Sequence, residues 1–200
     1  MRDLLIIGGV AAGATAAARA RRINGDINIT LLEAGEDVSF ANCGLPYYIA
    51  GDVEYRSSLL LASPSTFHDQ YRVNVHINTE AMHLDREAKR VTARNTKTGE
   101  EQQFPYDALI LAQGGKPIVP PIPGVENDHV FQLWTLADMD AIDSYIKEKS
   151  PSTAVVVGGG FIGLEMVEAL AKRGLHVEVV ERLPHVMPNL EGESAGFLTN

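Results

Sequence analysis

The chain has 200 residues, long enough for one large domain or two small ones. Apolar residues make up 45% of it and charged residues 22%, which excludes a disordered chain, collagen, a coiled coil and a disulfide scaffold. The formal net charge of -9, from 17 Lys+Arg against 26 Asp+Glu, sets up a field that repels phosphate polymers, so no nucleic-acid partner and no anionic membrane surface is expected. No apolar run approaches the ~20 residues needed to span a bilayer. Met1-Arg2-Asp3 leads straight into Leu4-Leu5-Ile6-Ile7, too abruptly for a signal peptide, so the expected compartment is the cytoplasm. A single cysteine, Cys43, leaves any redox role to one thiol.

In chain order the sequence reads strand, Gly-rich turn, Ala-rich helix and strand, and does so twice. Residues 4–7 form a short aliphatic run of the buried parallel type. Gly8-Gly9-Val10-Ala11-Ala12-Gly13 follows, and residues 11–23 are strong helix formers ended by Asn24-Gly25. Residues 27–32 are the next strand, closed by Glu33. Residues 73–94 partly alternate apolar and polar, and Asn95 to Gly99 reads as a hairpin turn, which predicts a small antiparallel excursion. Residues 106–112 are another buried strand. A Pro- and Gly-rich crossing runs over 114–124, and an amphipathic helix is predicted over 135–149. The second copy has its strand at 154–157, its turn from Gly158 to Gly163, a helix from Leu164 to Arg173 and a strand over 176–180 closed by Glu181.

A dinucleotide site needs a tight strand-to-helix turn, so that backbone N–H groups and the helix N-terminus meet the pyrophosphate. It also needs a carboxylate after the second strand for a ribose hydroxyl. Gly158, Gly160 and Gly163 fit G-x-G-x-x-G, and Glu181 lies 18 positions past Gly163. Gly8 and Gly13 fit the first copy with Val10 at the middle position, and Glu33 lies 20 positions past Gly13. The alternative is that the glycines only let helix and strand pack closely. Glu181 should accept from the ribose 2'-hydroxyl and repel a 2'-phosphate, which favours NADH over NADPH.

Ser39 to Tyr48 contains the cysteine. Pro46 suits a helix first turn and Gly51 the residue past its end, so 44–50 is predicted as a short helix with Cys43 at its start. Unpaired N–H groups there favour a thiolate. The opposing reading makes Cys43 a small buried hydrophobe. The six histidines show no metal spacing, and no metal is expected.

Taken together, these residues resemble the flavin-dependent pyridine nucleotide–disulfide oxidoreductases. Within them the chain is similar to the single-cysteine branch of coenzyme A-disulfide reductases, NADH-dependent persulfide reductases and NADH oxidases or peroxidases. The stretch Ser39-Phe40-Ala41-Asn42-Cys43-Gly44-Leu45-Pro46-Tyr47 matches the disulfide and persulfide reductases, and Val157 to Glu165 matches the NADH turn. The resemblance implies an α/β fold of tandem Rossmann-like units, with an FAD-binding segment over 1–112 and an NAD(H)-binding segment over 113–200.

By the same resemblance, Gly8, Gly9, Val10, Ala11, Ala12, Gly13, Glu33, Ala112, Gln113 and Gly114 would hold FAD. Gly158, Gly160, Phe161, Ile162, Gly163, Glu165 and Glu181 would hold NADH. Thr15, Arg19, Arg22, Ser39 and Asn42 match positions that contact coenzyme A. Arg19 and Arg22 also read simply as cations near a helix C-terminus. Cys43 would cycle through a mixed disulfide or a persulfide in front of the flavin, reducing a disulfide or persulfide of coenzyme A or a similar small thiol. An oxidase or peroxidase working through a Cys43 sulfenic acid, and a nucleotide-binding module without chemistry, are the competing functions. The chain departs from the family pattern at Tyr71-Arg72, where a Lys can stand, and at Ala112-Gln113-Gly114. The second unit shows only two strands, so it is expected to be truncated, and the full-length form is expected to be a homodimer.

Overall fold

The computed structural model describes residues 3–190 together with 194 and 196. The chain forms two compact units. One comprises Met1–Ala41 and Leu60–Lys116; the other comprises Asn42–Leu59 and Pro117–Asn200. The units therefore do not follow chain order: the segment carrying Cys43 packs with the C-terminal part.

The first unit is built on a parallel sheet of strands β1 (Asp3–Ile7), β2 (Asn28–Leu32), β3 (Val73–His76) and β7 (Ala108–Leu111), in the order β3-β2-β1-β7. Two helices belong to it, α1 (Ala12–Ile23) and α3 (Pro64–Tyr71). A three-stranded antiparallel sheet, β4 (Thr79–Asp85), β5 (Arg90–Asn95) and β6 (Glu101–Pro105), completes it. Strand alternation sorts the core. Ile6, Ile29 and Leu31 pack with Ala14 and Ala17 of α1 and Phe67 of α3. Leu5 and Leu32 pack with Val91, Ala93 and Phe104 of the antiparallel sheet. Neighbours one residue apart thus serve opposite faces, as a strand buried on both sides requires.

Residues 73–76 differ from the sequence expectation. They pair in parallel with β2 and extend the main sheet, because the alternating pattern of Val73 and Val75 suits a half-covered edge strand as well as a hairpin. The antiparallel excursion begins only at Thr79 and turns at Asn95–Gly99, where Asn95 accepts from the N–H groups of Lys97 and Thr98.

The second unit pairs β8 (Thr153–Val157) and β9 (His176–Val180) in parallel and covers them with α5 (Phe161–Lys172). Helices α2 (Leu45–Ala50) and α4 (Leu136–Lys149) complete it. Helix α5 starts three residues earlier than Leu164 because Gly160 is its N-cap, which moves Glu165 out of the first turn. The amphipathic helix α4 begins with a capping box, Thr135 and Asp138 each accepting the other's backbone N–H. Trp134, just before it, is exposed. Among the described residues no helix is long and apolar enough to cross a membrane.

One charged network is buried in this unit. Asp143 is 7% exposed and takes Arg173 at 2.9 Å and Lys147 at 2.6 Å. Burial pushes the Asp143 carboxyl up, but hydrogen bonds from Lys147 and Arg173 and their charges outweigh it and hold it below its usual value. A depressed carboxyl stabilises the fold fully above the ordinary Asp range and loses that contribution as the pH falls below it. Asp143→Ala is expected to cost about 3–5 kcal/mol, since it strands Arg173 partly buried without its counter-charge. Urea unfolding at neutral pH measures this loss, and the gap between the variant and the parent should narrow in acid.

Candidate functional site

The two glycine turns share one plan. Gly8 and Gly158 end their strands at φ +97° and +106°, a left-handed region open to glycine. Their carbonyls lie under the third glycine of each motif. A Cβ on Gly13 would stand 1.8 Å from the Gly8 oxygen, and one on Gly163 would stand 1.9 Å from the Gly158 oxygen. The helix can approach the turn only because both positions lack a side chain.

The carboxylates that follow β2 and β9 pin these turns. Glu33 accepts the Gly9 N–H at 2.7 Å and the Gly35 N–H at 2.8 Å. Glu181 accepts the Gly159 N–H at 2.7 Å and the Leu183 N–H at 2.8 Å. Each carboxylate oxygen takes one backbone donor and keeps lone pairs for a further one. The hydrogen bonds from Leu183 and Gly159 hold the Glu181 carboxyl below its ordinary value, so it is ionised at neutral pH.

The helices that start at the turns are left without caps. Neither Ala11 nor Gly160 makes a side-chain cap hydrogen bond, and neither helix has an acidic residue in its first turn. Helices α3 and α4, by contrast, carry complete capping boxes at Ser63 and Thr135. The first N–H groups of α1 and α5 can therefore take an anion, as a dinucleotide pyrophosphate requires. The middle positions differ. A Cβ on Gly160 would meet nothing within 4 Å, so backbone is open to a ligand there, whereas the first turn carries the half-buried Val10.

Ala112 closes the first turn. Its N–H donates to the Ile7 carbonyl, and its own oxygen lies 2.1 Å from where a Gly8 Cβ would be. Gln113 and Gly114 follow as exposed loop, with Gly114 at φ +66°. Gln113 lines a shallow cleft with Ile7, Met82 and Leu111.

Among the positions expected to meet coenzyme A, Thr15, Arg19 and Arg22 share one face of α1 at helical spacing. Arg22 lies over the Tyr71 ring, 5.9 Å from its centroid. Ser39 sits at φ +53° and donates its N–H to the Gly9 carbonyl. Arg21 went unnoticed in the sequence. Its guanidinium binds the carbonyls of Gly25, Tyr71 and Arg72, fastening the end of α1 to the end of α3.

Asn42 and Cys43 lie in a 3-10 turn, Asn42–Gly44, that leads into α2. Pro46 occupies the first turn of α2 and Gly51 ends it at φ +84°. Cys43 is free and exposed, which removes the reading of a small buried hydrophobe.

A sequence model of the pyridine nucleotide-disulphide oxidoreductase family matches residues 2–200. The chain is 38% identical over 183 residues to the coenzyme A disulfide reductase of Staphylococcus haemolyticus, covering 91% of this chain and 41% of the relative. It superposes on the reduced CoADR-RHD of Bacillus anthracis with a TM-score of 0.95 and 43% identity, covering 98% of this chain and 36% of that one. The NAD-dependent persulfide reductase of A. fulgidus gives 0.93 and 38%, with 98% and 36% covered. The water-forming NADH oxidase of Lactobacillus brevis, solved with NADH bound, gives 0.93 and 27%, with 99% and 44% covered. The chain thus spans about two fifths of the curated relative's length. It belongs to the pyridine nucleotide-disulphide oxidoreductase family, with the tandem Rossmann-like α/β fold that its two glycine turns imply.

Proposed function

We propose that this chain forms the nucleotide-binding and thiol-bearing part of an NADH-dependent flavoprotein reductase whose acceptor is a disulfide or persulfide of coenzyme A or a similar small thiol. The observation that carries the reading is the doubled turn: an uncapped helix start, a glycine sealed under another glycine's carbonyl, and a carboxylate holding the next N–H. Two such turns suit two dinucleotides, FAD at Gly8–Gly13 with Glu33 and NADH at Gly158–Gly163 with Glu181. FAD, when bound, supplies a two-electron relay between a nicotinamide and a sulfur.

The protein's own residues would divide the work as follows. The first turns of α1 and α5 bind pyrophosphate, and Glu33 and Glu181 accept ribose hydroxyls. Cys43 attacks a sulfur of the acceptor, so that one thiolate leaves and Cys43 keeps a mixed disulfide from a disulfide acceptor or a persulfide from a persulfide acceptor. Two electrons from NADH and one proton would then return Cys43 to the thiolate and release the second small thiol or hydrosulfide. Thr15, Arg19 and Arg22 would offer one helix face to the phosphates of coenzyme A, and Ser39 and Asn42 lie within four residues of the thiol in sequence. The likeness to the two reductases favours this acceptor class over oxygen.

NADH consumption by the full-length flavoprotein tests the reading, with coenzyme A disulfide, coenzyme A persulfide, oxygen and hydrogen peroxide compared as acceptors. The first two should support turnover. Turnover with oxygen or peroxide alone would replace the reading by an oxidase or peroxidase. A second expected result concerns nucleotide choice. Glu181→Gln removes the charge that repels a 2'-phosphate, so the preference for NADH over NADPH should fall by about tenfold in the ratio of kcat/KM values.

A further inference from the structure

We propose that Arg173 is a positioning residue for the Cys43 thiol, fastening the short helix that follows the cysteine to the helix that begins at the second glycine turn. The proposal rests on the reading of Cys43 as the redox thiol. Six residues are too few for a helix to hold itself in water, so the placement of α2 comes from what it packs against. Leu45, Pro46 and Ile49 are its buried side chains. Its Ile49 carbonyl, at the C-terminal end where helix oxygens lack internal partners, accepts from Arg173 Nη1 at 2.9 Å. The same nitrogen donates to Asp143 Oδ1 at 2.9 Å.

The surrounding charges repeat the pattern. Lys172, the residue before Arg173, pairs with Asp52 just past α2, and Arg56 pairs with Asp140 of α4 at 2.8 Å. The segment that carries Cys43 is thus tied to α4 and α5 by two cation–carboxylate contacts and by the bond from Arg173 to the Ile49 carbonyl. A buried pair adds little net stability over an apolar one of the same shape, but it accepts only one geometry. Asp143 and Arg173 therefore fix a direction for α2 that apolar packing alone would leave free to slide.

The consequence for the thiol follows from the chain path. Cys43 lies in the turn whose last residue, Gly44, caps α2, so the sulfur moves when α2 moves. Helix α5 has Gly160 at one end and Arg173 just beyond the other. The nucleotide-binding turn and the thiol-bearing segment are carried by opposite ends of one helix.

The test measures alkylation of Cys43 by iodoacetamide across a pH series in the parent chain and in Arg173→Met, Arg173→Lys and Asp143→Asn, with circular dichroism checking the fold. Arg173→Met should change the alkylation rate by about threefold or more and displace its pH profile. Arg173→Lys, which keeps a cationic N–H donor at this position, should return the rate to within about twofold of the parent. Hydrogen exchange at Asp52 and Val53, whose N–H groups bond to the Tyr47 carbonyl, should quicken in the Met variant only. A folded Arg173→Met chain with an unchanged rate and profile overturns the proposal. Where that variant does not fold, Asp143→Asn decides by the same readings. Retention of reductase activity by Cys43→Ser would instead overturn the redox reading and leave the alkylation result standing.

Discussion

Cys43→Ser is expected to lower turnover with the disulfide or persulfide acceptor by about a thousandfold or more, the scale seen when a nucleophile is removed. The reason lies in the chemistry of exchange. A thiolate attacks the acceptor sulfur and holds one half of it as a mixed disulfide, and a serine hydroxyl can do neither step. Cys43 is the sole cysteine of these 200 residues. The substitution is small and the site is exposed, so the fold should be unaffected. Cys43 belongs to neither glycine turn, so nucleotide affinity should hold to within about twofold. Kinetics on the full-length flavoprotein, paired with NADH titration, separates the two effects. A Ser variant that loses nucleotide binding and turnover together would show that Cys43 is structural.

The second large effect distinguishes two glycines three residues apart. Gly163→Ala places a methyl 1.9 Å from the Gly158 oxygen, inside any allowed contact. Helix α5 must then back away from β8, which opens the packing of Met166 and Leu170 as well. The cost is expected to be about 3 kcal/mol, the upper part of the range for overpacked sites, with NADH binding lost as the turn is displaced. Gly160→Ala is the contrasting case. Its Cβ meets nothing within 4 Å and its φ of -81° suits any residue, so stability should be nearly unchanged. The methyl nevertheless occupies the space through which a pyrophosphate reaches the backbone, so NADH affinity should fall by about tenfold. Thermal unfolding and NADH fluorescence titration of both variants check the pair. Equal losses of stability would show that the glycines serve packing alone.

Much of this architecture is legible in the residues themselves. Strand β9 falls at 176–180 as predicted, and the helix over 135–149 differs only in that Thr135 is its cap. Those elements announce themselves by periodicity, glycine punctuation and capping residues, all of which are local. The start of α5 is harder to place, because Phe161 and Ile162 look like turn residues of the motif while the backbone already winds after Gly160. The pairing of strand β3 is not legible, because alternation marks a strand without saying which partner it takes. Helix α3 has only a local signal, the N-terminal signature of Ser63, Pro64 and Thr66.

The site divides in the same way. Glu33 and Glu181 are marked by their distance from the glycines, but the hydrogen bonds to Gly9 and Gly159 appear only in three dimensions. The network of Ile49, Asp143 and Arg173 joins residues 124 and 30 positions apart, and no local pattern signals it. Arg21 sits among other arginines on α1, and only its three carbonyl partners separate it from them.

The central claim is that Cys43 carries the acceptor's sulfur and that reducing power from NADH releases it. Peptide mass spectrometry on the full-length flavoprotein tests this most directly, after coenzyme A disulfide is added without NADH and again after NADH follows. The account predicts one coenzyme A on the Cys43 peptide in the first sample and a free thiol in the second. An unmodified Cys43 in the first sample, or an adduct that NADH does not release, would contradict it.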